Sequence, residues 1–178
     1  MHPLAQPSIA RRRTAPALVV EECQDSWMLY TAIKLVHILL AITAVGFNAS
    51  YAVWIGRASR LSNEINEFAL RGVKFMDERI ANPAYGLLLV TGLLMVFLGP
   101  WNLTTRWIDA ALALFVVLVL IAVFGYTPAL RDQIKALEAE GSGSAAYRSA
   151  ATRQNVMGII VVIPVLLILY LMVFKPVT

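Results

Sequence analysis

Charge is scarce in this chain. Only 15% of its 178 residues are Asp, Glu, Lys or Arg, against about 25% in an ordinary water-soluble domain. Hydrophobic types make up 59%, and the mean hydropathy is +0.70. These figures exclude a disordered chain, which lacks apolar residues to bury. Histidine and cysteine are nearly absent as well. Cys23 is the single cysteine, so an internal disulfide and a cysteine-cluster metal site are both excluded; it reads as a free thiol near the membrane. His2 and His37 are the only histidines. The net charge of +4 comes from fifteen cations spread thinly along the chain, a pattern that does not support nucleic-acid binding. There is no phosphate-binding glycine loop, no HExxH, no nucleophile elbow and no zinc spacing, which argues against soluble-type hydrolysis and phosphoryl transfer.

What charge there is leaves four long gaps. No charged residue stands between Lys34 and Arg57, between Arg79 and Arg106, between Asp109 and Arg131, or between Arg153 and Lys175. A helix needs about 20 apolar residues to cross roughly 30 Å of hydrocarbon, so the gaps predict spans near 29–56, 82–100, 107–128 and 155–174. Lipid offers no hydrogen bonds to the backbone, which requires helices there; no alternating segments of barrel type appear. The expected fold is all-α, a transmembrane four-helix bundle with two long polar connections, occupying residues 29–176 behind a flexible N-terminal tail, 1–28. Trp27, Trp54, Trp101 and Trp107 fall at the span ends, at headgroup level. Pro83 stands where the second span begins, and Pro164 should kink the fourth.

The connections differ in kind. GPWNLTTR is a tight hairpin. Residues 57–79 and 129–140 carry apolar stripes at helical spacing and read as helical extensions or surface-lying amphipathic helices. Gly141-Ser142-Gly143-Ser144 reads as a flexible break. Nine Lys and Arg lie in these two long connections, against five in the tails and the short loop. The positive-inside rule then places the long connections in the cytoplasm and both termini in the periplasm of a bacterial inner membrane. The implied partners are the lipid bilayer and other membrane subunits or a second copy.

One constellation has chemical potential. Lys34 and His37 are three apart and share a helix face. At helical spacing that face continues through Ala41, Ala44, Asn48 and Tyr51, whereas Leu35, Ile38, Leu39 and Ile42 form a purely aliphatic opposite face. An ionisable group within a span normally faces protein or water, so the polar stripe is expected to point into the bundle. Three readings of His37 stay open: a neutral imidazole bridging helices, an axial haem ligand, and a proton relay. Asp77-Glu78-Arg79 with Asn82-Pro83 reads as interfacial anchoring, and Asp109 as a partner for Lys34 or Arg106. Gly46, Ser50, Gly86, Thr91 and Gly92 are small residues that permit close helix contact.

The segments YTAIKLVHILLAITAVGF, MDERIANPAYGLLLVTGLLM and LYLMVFKP resemble a family of predicted four-helix bacterial integral membrane proteins grouped as a domain of unknown function, over roughly residues 29–176. A more distant likeness is to the HemJ-type protoporphyrinogen oxidases and to CopD-like membrane proteins. The oxidases share K-x-x-H, here Lys34 and His37, and an E-R segment followed by N-P-A and a glycine, here Glu78, Arg79, Asn82-Pro83-Ala84 and Gly92. The oxidases bind haem with a His and a Lys from different helices, a likeness that implies haem on His37, with Lys34 as the candidate second haem residue here. The departures are Ala111, where the oxidases carry a lysine four residues after the tryptophan, and the missing histidine of a later span. Two functions follow: a structural or accessory subunit of a membrane complex with no cofactor expected, or a haem-binding membrane redox protein.

Overall fold

The computed structural model describes residues 17–176, with side chains placed from Trp27 onward. His2 and Arg11–Arg13 lie outside the described residues, and so does the side chain of Cys23. The expected tail is therefore described only in part, and from Ala17 its backbone is already helical. The elements are α1 (Ala17–Ala58), α2 (Asn63–Met76), α3 (Asn82–Leu98), α4 (Arg106–Ile121), α5 (Thr127–Glu140) and α6 (Ala145–Phe174). A wide π-helical turn, Asp77–Ala81, joins α2 to α3, and a second one, Ala122–Tyr126, joins α4 to α5. The result is four long helices, Trp27–Ala58, Asn63–Leu98, Arg106–Glu140 and Ala145–Phe174, each long and apolar enough to span a membrane.

The two long connections are thus continuations of the spans. The second helix runs for 36 residues and the third for 35, or about 53 Å at 1.5 Å per residue. A hydrocarbon core of about 30 Å leaves some 20 Å of each standing beyond it. Pro83 does not begin a helix but sits inside one. It lacks an N–H, and its ring would strike the carbonyl four residues back. The wide turn before it absorbs both problems, with the Asn82 N–H reaching back to the Asp77 carbonyl. The third helix repeats the device: the Thr127 N–H reaches Ala122 just ahead of Pro128. Pro164 is buried inside α6, which continues past it to Phe174.

Packing is closest within each half of the chain. α1 lies along α3, and α4 along α6, while α2 and α5 join the halves at the polar end. In the apolar part, Tyr85 of α3 and Phe115 of α4 meet across the halves, ring centroids 6.4 Å apart. At the polar end, Tyr51, Ile55, Leu70, Val73, Tyr126, Leu130, Ile134, Leu137 and Tyr147 form one core. The Tyr147 hydroxyl accepts hydrogen bonds from Asn66 Nδ2 at 2.8 Å and Gln133 Nε2 at 3.3 Å, uniting α6, α2 and α5. Exposed ion pairs flank this core: Arg71 with Glu67 and Glu138, Arg131 with Glu78, and Arg153 with Asp132. Pairs of this kind contribute about 0–1 kcal/mol each.

The Gly-Ser segment is an ordered turn rather than a flexible break. Gly141 adopts φ +79°, the left-handed region that glycine enters without strain, and closes α5. Ser144 then caps α6, its Oγ accepting from the Tyr147 N–H at 3.0 Å. Asn63 Oδ1 accepts from the Ser142 N–H, which fastens the turn to the start of α2. At the opposite end, Trp107 is buried. It packs edge-on against Trp101, centroids 5.2 Å apart, and Lys175 Nζ stands 5.0 Å and 5.7 Å from the two rings.

Candidate functional site

Helix α1 presents its two faces as the residue pattern predicts. Ala44 and Tyr51 are buried and His37, Ala41 and Asn48 are half-buried, whereas Leu35, Ile38, Leu39 and Ile42 are exposed. His37, Ala44 and Tyr51 recur at intervals of seven, which keeps them on the packed side. Lys34 is exposed, so the structure does not bring it into the packed seam with His37. Asp109 is also exposed, and none of the ion pairs found joins it to Lys34.

His37 meets α3. Its Nδ1 lies 2.8 Å from Thr91 Oγ1. The Thr91 hydroxyl has one proton, and that proton goes to the α3 backbone, with Leu87 O at 2.7 Å and Leu88 O at 3.2 Å. With that proton directed to the backbone, Thr91 Oγ1 is placed to accept from a His37 Nδ1–H. The Leu88 carbonyl, which can only accept, also lies beside the ring. A neutral imidazole with its proton on Nδ1 carries its lone pair on Nε2. Gly92 makes room for the ring: a Cβ there would stand 3.3 Å from His37 Cε1. Among the other small residues expected at helix contacts, Gly46 and Gly86 have nothing within 4 Å of a built Cβ. Of these three glycines, Gly92 is the one at a close approach.

A second polar group was misread as interfacial anchoring. Asp77 is only 7% exposed. It occupies the wide turn, and Asn82 Nδ2 donates to its Oδ2 at 3.4 Å. Tyr51 of α1, Tyr85 of α3 and Tyr126 of the second wide turn all lie close enough to feel its charge. Asn48 Nδ2 donates to the Tyr85 hydroxyl at 2.9 Å, and Tyr126 shares a hydrogen bond with Gln154 of α6. The Tyr51 hydroxyl and Gln154 Oε1 are buried without a hydrogen-bond partner. Asp77 lies between charged neighbours in DER and hence looks like a surface residue in the sequence. The signal that could have found it is Asn82-Pro83 close behind: proline inside a helix widens the turn before it and rotates that turn's residues. Among the described residues, no group of three or more His, Cys, Asp or Glu is gathered as a metal cage.

Four long apolar helices, a half-buried imidazole on a packed seam and charges gathered at one end define an all-α, multi-pass integral membrane protein. The chain belongs to the family described as predicted integral membrane protein (DUF2269), whose profile matches residues 31–176. No curated protein and no solved structure matches the chain.

Proposed function

We propose that the protein is a haem-binding redox component of a bacterial inner membrane, with His37 as an axial ligand. The observation that carries this reading is the hydrogen bond between His37 Nδ1 and Thr91 Oγ1 at 2.8 Å. An imidazole that ligates iron donates its other ring N–H to a neighbouring acceptor, which orients the ring and raises its basicity; Thr91 Oγ1 is placed to be that acceptor for Nδ1, and Nε2 is then the nitrogen that would meet iron. Gly92 supplies the space beside the ring. His37 is the one imidazole within the spans, so this chain would offer a single axial histidine. Lys34, one turn away on the same helix and exposed, is the other candidate haem residue. A bound haem supplies one-electron chemistry, and the chain's part is to hold it and exclude water from it. The long helical extensions face the cytoplasm and both termini the periplasm, in keeping with the excess of Lys and Arg on the extended side.

The test is an absorption spectrum of the protein purified in detergent from cells supplied with haem. A Soret band that sharpens on reduction and is lost in His37→Ala supports the reading. A featureless visible spectrum refutes it, and co-purification of other membrane proteins with colourless protein points instead to a structural or accessory subunit. For orientation, a reporter active only in the cytoplasm and fused after Thr178 should be silent; activity there would reverse the assignment.

A further inference from the structure

We propose that Asp77, set in the wide turn between α2 and α3 and faced by Tyr51 and Tyr126, is a proton-binding site at the junction of the two halves of the bundle. The carboxyl group is buried, and none of the ion pairs found includes it. A buried carboxylate without a cation is costly, and a proton removes the cost without any counter-ion. Every element packed there contributes polar groups. Its own helix gives Glu78, Asn82 and Tyr85; α1 gives Tyr51; the second wide turn gives Tyr126, bonded in turn to Gln154 of α6. The Tyr51 hydroxyl is buried and has no hydrogen-bond partner, as suits a group that meets a proton-bearing carboxyl in some states and not in others. Asp77 sits in a wide turn packed against α1, and such turns recur at functional positions because they aim side chains that a regular helix would not.

The occupant is a proton rather than a metal cation. The Asn82 amide turns its N–H toward the carboxyl, where a cation would require the amide oxygen. The neighbouring acid, Glu78, is exposed and already paired with Arg131, so the site offers a single carboxylate. That Glu78–Arg131 pair lies at the polar surface next to Asp77 and marks the side from which the proton arrives. The site is independent of haem, and its test does not use the haem spectrum.

The test is infrared spectroscopy of the full chain in lipid nanodiscs, followed as the pH is lowered from about 8 to about 5. The expected result is a protonated-carboxyl stretch that shifts in D2O, disappears in Asp77→Asn and is indifferent to exchange of sodium for choline. Asp77→Glu, which keeps the acid, should retain a band at a displaced position and covers the case in which the Asn variant fails to fold. Absence of the band in the wild-type protein, its persistence in Asp77→Asn, or its loss on adding sodium would each overturn the proposal, the last in favour of a monovalent-cation site.

Discussion

Tyr147→Phe removes one oxygen and leaves the ring in place, so it isolates the hydroxyl that joins α2, α5 and α6. That oxygen accepts from Asn66 Nδ2 and Gln133 Nε2, and Asn66, Gln133 and Tyr147 are 1%, 1% and 5% exposed. Asn66 Oδ1 and Gln133 Oε1 already have no partner, so neither amide has a neighbouring bond to fall back on. Each buried donor left unmade costs about 1–3 kcal/mol. The bond at 3.3 Å is the weaker, so the loss expected is about 2–4 kcal/mol. The assay is reversible unfolding of the purified protein in mixed micelles, followed by helical circular dichroism against denaturing detergent. The Tyr147→Phe ring keeps its place in the apolar core, and the transition should therefore move without changing its slope. A loss below about 0.5 kcal/mol, the lower limit for a single net hydrogen bond, would refute the claim that this hydroxyl ties the extensions together.

Other perturbations follow from the same geometry. Gly141→Ala places a Cβ 3.0 Å from Asn63 Nδ2 on a residue at φ +79°; it should cost about 1–2 kcal/mol in the same unfolding assay, and an unchanged midpoint would mean that the turn is not held in that conformation. Lys175→Met withdraws the ammonium from Trp101 and Trp107, worth about 0.5–2 kcal/mol. It should also alter tryptophan fluorescence, whereas a spectrum identical to that of the wild type would remove the contact. Arg153→Ala breaks an exposed pair with Asp132 and should shift stability by less than about 1 kcal/mol; a larger loss would show that the pair is shielded from water.

Much of this architecture is written in the placement of charge. The four uncharged gaps locate four helices because a lipid-facing backbone has no other solution, and the inward stripe of α1 follows from helical spacing alone. The extensions of α2 and α5 were harder to place, since the same apolar stripes suit a helix lying on the membrane or one that prolongs a span. Their tertiary partners decide it: Leu70 and Val73 bury against Leu130, Ile134 and Leu137. Pro83 was read locally, as a helix start, and only the longer helix shows it, like Pro128, standing just after a wide turn. Asp77 was hidden for the same reason. The Gly-Ser turn was misjudged because composition suggests flexibility, while capping depends on which glycine takes positive φ and which serine meets an N–H. His37 was legible as an inward-facing group, but its hydrogen-bond partner is Thr91, which is 54 residues away in sequence.

The most direct test of the central claim is the haem content per chain of three purified proteins, measured as the pyridine haemochrome: wild type, His37→Ala and Thr91→Val. The account predicts a single haem per chain in the wild type and none in His37→Ala. Thr91→Val should bind haem about 10–100-fold more weakly, since it removes only the acceptor that orients the imidazole. Haem retained undiminished in His37→Ala, or absent from the wild type, would contradict it.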